Sequence, residues 1–278
     1  MGKLMQGVAA LWRKVMPVRY AYPAQDVTAG QSQLHLVGSI HMGTPTMMPL
    51  PAPLQAQLEK ADALIVEADI TVNTSPFSES ELCLPLAERL TPEEMTQLTR
   101  LCEEVAISPE AIDTLPAWQV ALMLQAQQAQ RLGLRADYGI DFQLLKAARA
   151  LQKPVIELEG PETQLALLKA LPDNGLTLLQ DTLIHWHTNA RLLQTMIGWW
   201  LESPPGEKQT ALPSTFNSAL NDVLMLQRNQ RWSHTLQALP KGRYVVAVGA
   251  LHLYGEGNLP DLLKKDKKKA NISIGPSK

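Results

Sequence analysis

Two short segments of the chain, HLVGSIHMG at 35–43 and VVAVGALHLYG at 245–255, repeat one pattern: an apolar, strand-like run, then Gly, two small or aliphatic residues, His, and soon another Gly. The sequence holds 16 Gly and 6 His in 278 residues. A Gly-x-x-His match then arises by chance about 0.35 times, so two matches in the same strand-then-turn setting are a signal. The repeat puts His41 and His252 in equivalent places. Imidazole titrates near neutral pH and is the commonest nitrogen ligand of metals, so the pair marks the centre of a candidate active site for proton transfer or metal binding.

Those histidines need elements to hold them. Four short runs rich in Val, Ile and Leu, at 34–40, 63–69, 154–159 and 244–248, read as buried strands. Helical patterns lie between and after them, at 54–62, 92–105, 116–132, 142–151, 162–170, 176–202 and 213–239. Thr91 caps the second of these and Asp141 the fourth. Strands separated by helices predict an α/β fold, a mostly parallel sheet covered on its faces, here with a helical middle section. One unit over 20–263 is expected, preceded by an N-terminal segment, 1–19, and followed by a basic polar tail, 264–278, that frays in solvent.

In an open parallel sheet, ligands bind at the carboxyl ends of the strands. Strand one ends at His41, and the last strand ends in the turn carrying His252. Strand two ends with Glu67 and Asp69, which would share a face, and strand three with Glu157 and Glu159. Apolar flanks make Glu67 and Glu159 costly to bury without a partner, which favours a functional role. Gly38 and Gly249 allow a close backbone approach or a positive φ where each strand breaks, while Gly43 and Gly255 free the chain after each His. Two imidazoles and several carboxylates at one edge are donors suited to a divalent metal.

Other residues carry less. His35 lies near its strand's start, His234 on a polar surface, and His185 and His187 point about 200° apart on a helix. Ser39 reads as a structural hydroxyl. Cys83 and Cys102 form neither a Cys-x-x-Cys pair nor a disulfide scaffold. No Gly-x-Ser-x-Gly elbow, phosphate loop or His-Glu-x-x-His helix occurs. A net charge of -2 and a pI near 6.3 give no reason to expect nucleic acid. The start of the chain has no secretory apolar region, and the run 192–201 falls well short of the ~20 residues that span a bilayer. A cytoplasmic protein without a stable membrane anchor is expected. The tryptophan-bearing stretch 186–200 offers core packing or, in an interaction protein, the interface of a homo-oligomer.

Taken in order, the paired Gly-x-x-His turns, Glu67 and Asp69, the Tyr-Gly-Ile-Asp of 138–141, the Leu-Glu of 158–159 with Gln164 following, and Arg228 with Asn229 resemble the TraB/GumN/PrgY family, whose animal relatives are the Tiki-type proteases. The resemblance extends over about 20–263. It implies an α/β fold of two related halves, akin to the erythromycin esterase and ChaN-like superfamily. It also implies a metal-dependent hydrolase, most simply a peptidase acting on a peptide substrate. Carried over by position, His41, His252 and Glu67 would hold the ion, Mn or Co before Zn, with Glu159 as a supporting carboxylate. Arg228 would stabilise developing negative charge, with Asp141 and Asn229 in support. The alternative is a non-catalytic protein that sequesters a peptide or a haem in the same cleft.

Overall fold

The computed structural model describes residues 20–71, 82–205 and 218–264. A five-stranded sheet runs in the order β1-β2-β5-β3-β4, with β1 Ala24–Ala29, β2 Ser32–Ser39, β3 Ala63–Val66, β4 Val155–Glu157 and β5 Arg243–Gly249. β2, β5, β3 and β4 are parallel to their neighbours, and β1 is antiparallel to β2. β2 and β5, far apart in sequence, are thus neighbours at the sheet's centre. They alternate as a two-sided sheet must. Val245 and Ala247 join one core cluster, with Leu64 and Val66, while Tyr244, Val246 and Val248 join another with Ala63 and Ile65.

Helices cover both faces. On the first lie α1, Ala52–Lys60, with Leu54 and Leu58, and α4, Ile140–Ala150, with Leu144, Leu145 and Ala148. The second packs against Trp232 and Leu236 of α8, Gln227–Gln237. A third cluster belongs to the helical middle section, built by α2, Pro92–Val105, α3, Ala117–Arg131, and α6, Leu176–Ile184, around the fully buried Trp118. α5, Pro161–Lys169, and α7, Trp186–Leu201, link that section to the sheet. The cap foreseen at Thr91 is a reciprocal box. Its hydroxyl accepts from the Glu94 backbone at 3.2 Å, and the Glu94 carboxylate accepts from the Thr91 backbone at 2.9 Å.

Several expectations need correction. The sheet has five strands rather than four, because β1 pairs with β2 through a two-residue turn, Gly30 and Gln31, from Ala24↔Val37 to Ala29↔Ser32. β3 and β4 stop at Val66 and Glu157, so the residues beyond them no longer alternate between faces. The helix expected over 176–202 breaks at His185 into α6 and α7. Trp186, Trp199 and Trp200 are buried in the chain's own clusters, and the Trp200 indole donates to the Gly38 carbonyl at 3.0 Å. That is the core packing offered as one of the two readings of this stretch. The beginning of the last predicted helix, the N-terminal segment and the basic tail beyond Lys264 lie outside the described residues. Among the described residues, no helix is long and apolar enough to cross a membrane.

The β1–β2 turn makes a test of this topology. Gly30 has φ +55, and a Cβ there would sit 2.6 Å from the Gln237 carbonyl oxygen at the end of α8. Left-handed backbone costs a non-glycine residue about 1–3 kcal/mol, and the close contact adds to it. Gly30→Ala should lower the free energy of unfolding by at least about 1 kcal/mol in urea titrations; unchanged stability would contradict the turn described here.

Candidate active site

Sheet order builds the site. β2 and β5 run side by side with Gly38 opposite Val248 and Ser39 opposite Gly249, so the two Gly-x-x-His turns leave adjacent strands at one edge. β3 flanks β5 and delivers Glu67. The backbone amides of Glu159 and Gly160 then donate to the Glu67 carbonyl, each at 3.0 Å, which carries the end of β4 across to the same place. Gly38 serves by close approach, since a Cβ there would lie 3.1 Å from the Ala250 backbone and 3.2 Å from Pro23.

Arg228, in the first turn of α8, ties the carboxylates together. Its Nη2 donates to Glu67 Oε2 at 2.6 Å and to Glu159 Oε2 at 2.9 Å, and its Nε reaches both Glu159 oxygens at 3.1 and 3.2 Å. Arg231 adds a second cation at 3.6 Å from Glu159. The other Glu67 oxygen accepts from the Gly249 amide at 2.6 Å, and Gln164 of α5 donates to Oε2 at 3.2 Å. Burial alone would raise the Glu67 pKa. The surrounding positive charge and the Gly249 amide outweigh it and hold the carboxyl at about 2. Arg228 is the lasting cause among them, because it is cationic at every relevant pH.

His252 is buried in the short helical turn Ala250–Leu253. Its Nδ1 lies 2.7 Å from Asn229 Oδ1, while the Asn229 amide nitrogen donates to the Gly257 carbonyl at 3.0 Å. That second bond settles which way the amide points, so Nδ1 carries the hydrogen and Nε2 presents a lone pair. Burial is the main force lowering the His252 pKa, to about 4, and Arg228 and His41 push the same way against Glu67. Trp232, 4.5 Å from the imidazole and 4.6 Å from the guanidinium carbon, is a shared floor beneath both. Nothing in the sequence pattern singled it out.

His41 has the opposite surroundings. Its side chain is 64% exposed, facing a cavity of about 490 Å³, and its Nδ1 lies 2.9 Å from Asp141 Oδ2. The Asp141 charge is the chief cause that raises the imidazole pKa to about 9. Asp141 does not cap its helix, as expected from sequence. Gly139 holds the cap position, and Asp141 lies in the first turn, buried, with its carboxylate on His41. The Tyr-Gly-Ile-Asp run has a steric reason: a Cβ on Gly139 would overlap the His41 carbonyl oxygen, and the Ile140 amide donates to the Ile40 carbonyl at 2.9 Å. α4 can therefore dock directly on the His41 turn.

Of the residues expected from sequence, His41, Glu67, Glu159, Arg228, His252, Asn229 and Asp141 meet in this cluster, joined by Gln164. Asp69 and Glu157 are placed apart. Asp69 pairs with Arg149 at 2.7 Å and accepts from Thr71, and Glu157 accepts from the Asp69 amide at 2.5 Å. His35 instead pairs with Asp26 at 2.8 Å and Tyr22 at 3.0 Å. Ser39 Oγ is buried without a hydrogen-bond partner.

The ligand set expected for a metal does not fit this arrangement. Both Glu67 oxygens are engaged, and Arg228 Nη1 lies 3.4 Å from His252 Nε2, so two of the three expected donors are already taken. Among the described residues, no group of three His, Cys, Asp or Glu side chains is disposed to hold an ion. The guanidinium takes the cationic position between Glu67, Glu159 and His252.

Two histidines of one motif should thus titrate far apart. In imidazole NMR titrations, His41 should still be protonated at pH 7.5 and His252 neutral at pH 5.5, given pKa values of about 9 and about 4. Asp141→Asn should move the His41 midpoint down and leave His252 in place. Midpoints near the ordinary ~6.5 for both would contradict the electrostatics described here.

No solved structure matches the chain. Two relatives, from Escherichia coli (strain K12) and Shigella flexneri, are each 55% identical over 262 residues, covering 94% of this chain and 99% of the relative. Each is called "Uncharacterized protein YbaP". The TraB/PrgY/gumN family model matches residues 24–271, and the chain belongs to that family.

Proposed function

We propose that the protein hydrolyses an acyl bond, an ester or an amide such as a peptide link, with His41 and His252 as its proton-transfer pair. The observation that carries this reading is that two imidazoles lining one cavity are held in opposite ways, His41 exposed against the Asp141 carboxylate at 2.9 Å and His252 buried with Nδ1 on the Asn229 carboxamide at 2.7 Å. Groups of one type pushed apart in pKa take opposite roles in acid–base catalysis.

Neutral His252 accepts the proton of a water through Nε2 as the water oxygen adds to the carbonyl carbon. Glu67 is close enough to raise the His252 pKa, so it stabilises the imidazolium as it forms. The carbonyl oxygen becomes an oxyanion. Of the Arg228 nitrogens, Nη1 is the one free of any carboxylate; it donates to the Leu224 carbonyl at 3.3 Å and lies 3.4 Å from His252 Nε2, a long contact that an incoming water and carbonyl can replace. It can meet that charge, as can cationic His41. The bond to the leaving group then breaks, and His41 supplies the proton the departing oxygen or nitrogen needs. The proton on His252 returns through solvent to His41. No step passes through a metal, in keeping with the donor arrangement.

The test is hydrolysis of a panel of chromogenic esters and peptide amides, run in EDTA and with added Mn or Co. His41→Ala and His252→Ala should each lose about 10²–10⁴-fold in kcat/KM, the usual share of a positioned acid or base, and EDTA should leave the wild type active. Equal rates in wild type and both variants would sink the proposal. Activity lost in EDTA and restored by Mn or Co would favour the metal-dependent route instead, and tight ligand binding without turnover would favour a sequestering protein.

The pH profile has a definite sign. Activity rises as His252 loses its proton near pH 4 and falls as His41 loses its own near pH 9, so kcat/KM should be flat between about 5 and 8. Asp141→Asn removes the charge that raises His41 and should bring the alkaline limb down by a unit or more, leaving the acid limb where it was. An alkaline limb unmoved by Asp141→Asn would assign it to another group.

A further inference from the structure

The cavity above the two histidines is one-sided in its chemistry. Its floor holds the polar cluster at the sheet edge, while its wall is apolar and comes from the helices above it: Leu122 and Ala126 of α3, Leu192, Leu193 and Met196 of α7, and Met225 ahead of α8. At about 490 Å³ it is in the range of small-molecule sites. Apart from the two histidines, the charged residues lining it among those described are Glu67 and Arg228, and these are already paired at 2.6 Å. The polar side chains on the wall are neutral amides. Gln125 donates to Thr182 at 2.8 Å and Gln128 to the Trp186 carbonyl at 2.9 Å. A ligand carboxylate or ammonium entering along this wall would lose its water and gain no opposite charge, which is costly.

Resting on the hydrolase reading above, we infer that this cavity is a binding site for the uncharged, medium-length apolar chain of an acyl amide or ester, whose carbonyl is set down on the His41–His252 floor. The wall excludes the charged chain termini that an exopeptidase must anchor. Two methionines, unbranched and polarisable, let it adapt to chains of differing shape.

The experiment is calorimetric binding of octanamide, acetamide, 7-carboxyheptanamide and 8-aminooctanamide, the last two carrying their charge at the far end of the chain, to the full chain at pH 7, beside hydrolysis of p-nitrophenyl acetate and octanoate. Octanamide should bind at least about tenfold more tightly than either charged analogue, and far more tightly than acetamide. Ala126→Trp, which fills the cavity, and the milder Leu193→Gln should each weaken octanamide by about tenfold or more, with circular dichroism checking that both fold. Charged analogues binding as well as octanamide, or folded variants binding it unchanged, would overturn the inference. Ester hydrolysis with no preference for the longer chain and no octanamide binding removes the inference and leaves the hydrolase reading standing. Octanamide binding with neither ester hydrolysed removes the hydrolase reading and keeps the binding site.

Discussion

A guanidinium held between two buried carboxylates, Arg228 with Glu67 and Glu159, is the constraint on which the rest of the site depends. Each partner comes from a different element: the end of β3, the end of β4 and the first turn of α8. Charges removed from water are tolerated only when paired and hydrogen-bonded, and losing one partner of a buried pair costs about 3–5 kcal/mol. Here every oxygen of both carboxylates has a donor. The three elements therefore cannot separate without leaving a charge unmatched, and α8 is fixed at the height on the sheet edge where Asn229 meets His252 and Trp232 underlies His252 and Arg228.

That anchoring works because the sheet brings together two strands distant in sequence. β2 and β5 are adjacent although about two hundred residues separate them in sequence, and their register is offset so that Ser39 faces Gly249. The two turns depart in the same direction but meet different neighbours. The first meets α4, brought close by Gly139 and carrying Asp141. The second meets α8, entered through the π-helical turn Asp222–Leu226, a local widening of the helix often found at functional sites.

Much of this was legible in the sequence because the central strands are buried on both faces. Such strands appear as unbroken apolar runs, as at 34–40 and 244–248, and a strong cap such as Thr91 with Glu94 fixes a helix start to the residue. β1 escaped notice because it is an edge strand, with Gln25, Asp26 and Thr28 among its six residues and several side chains partly exposed, so neither an apolar run nor a clean alternation marks it. Asp69 and Glu67 would share a face only if alternation continued past Val66, where the ladder ends. Asp141 read as a cap because a lone Asp before an apolar run has that meaning locally, and its partner His41 is a hundred residues away. Trp232 belongs to a helix whose face is decided only by tertiary packing.

What the repeated motif could not reveal is that its two histidines are chemically unlike. The same Gly-x-x-His segment gives the same turn, but the ionisation of an imidazole is decided by what is packed against it. A carboxylate at 2.9 Å and an open cavity keep His41 charged. Burial, a carboxamide acceptor and a fixed guanidinium keep His252 neutral. A pair of equal histidines would share a proton and compete for one role. An unequal pair can hold a proton donor and a proton acceptor at the same carbonyl at the same pH, which a hydrolytic step on a neutral acyl bond requires.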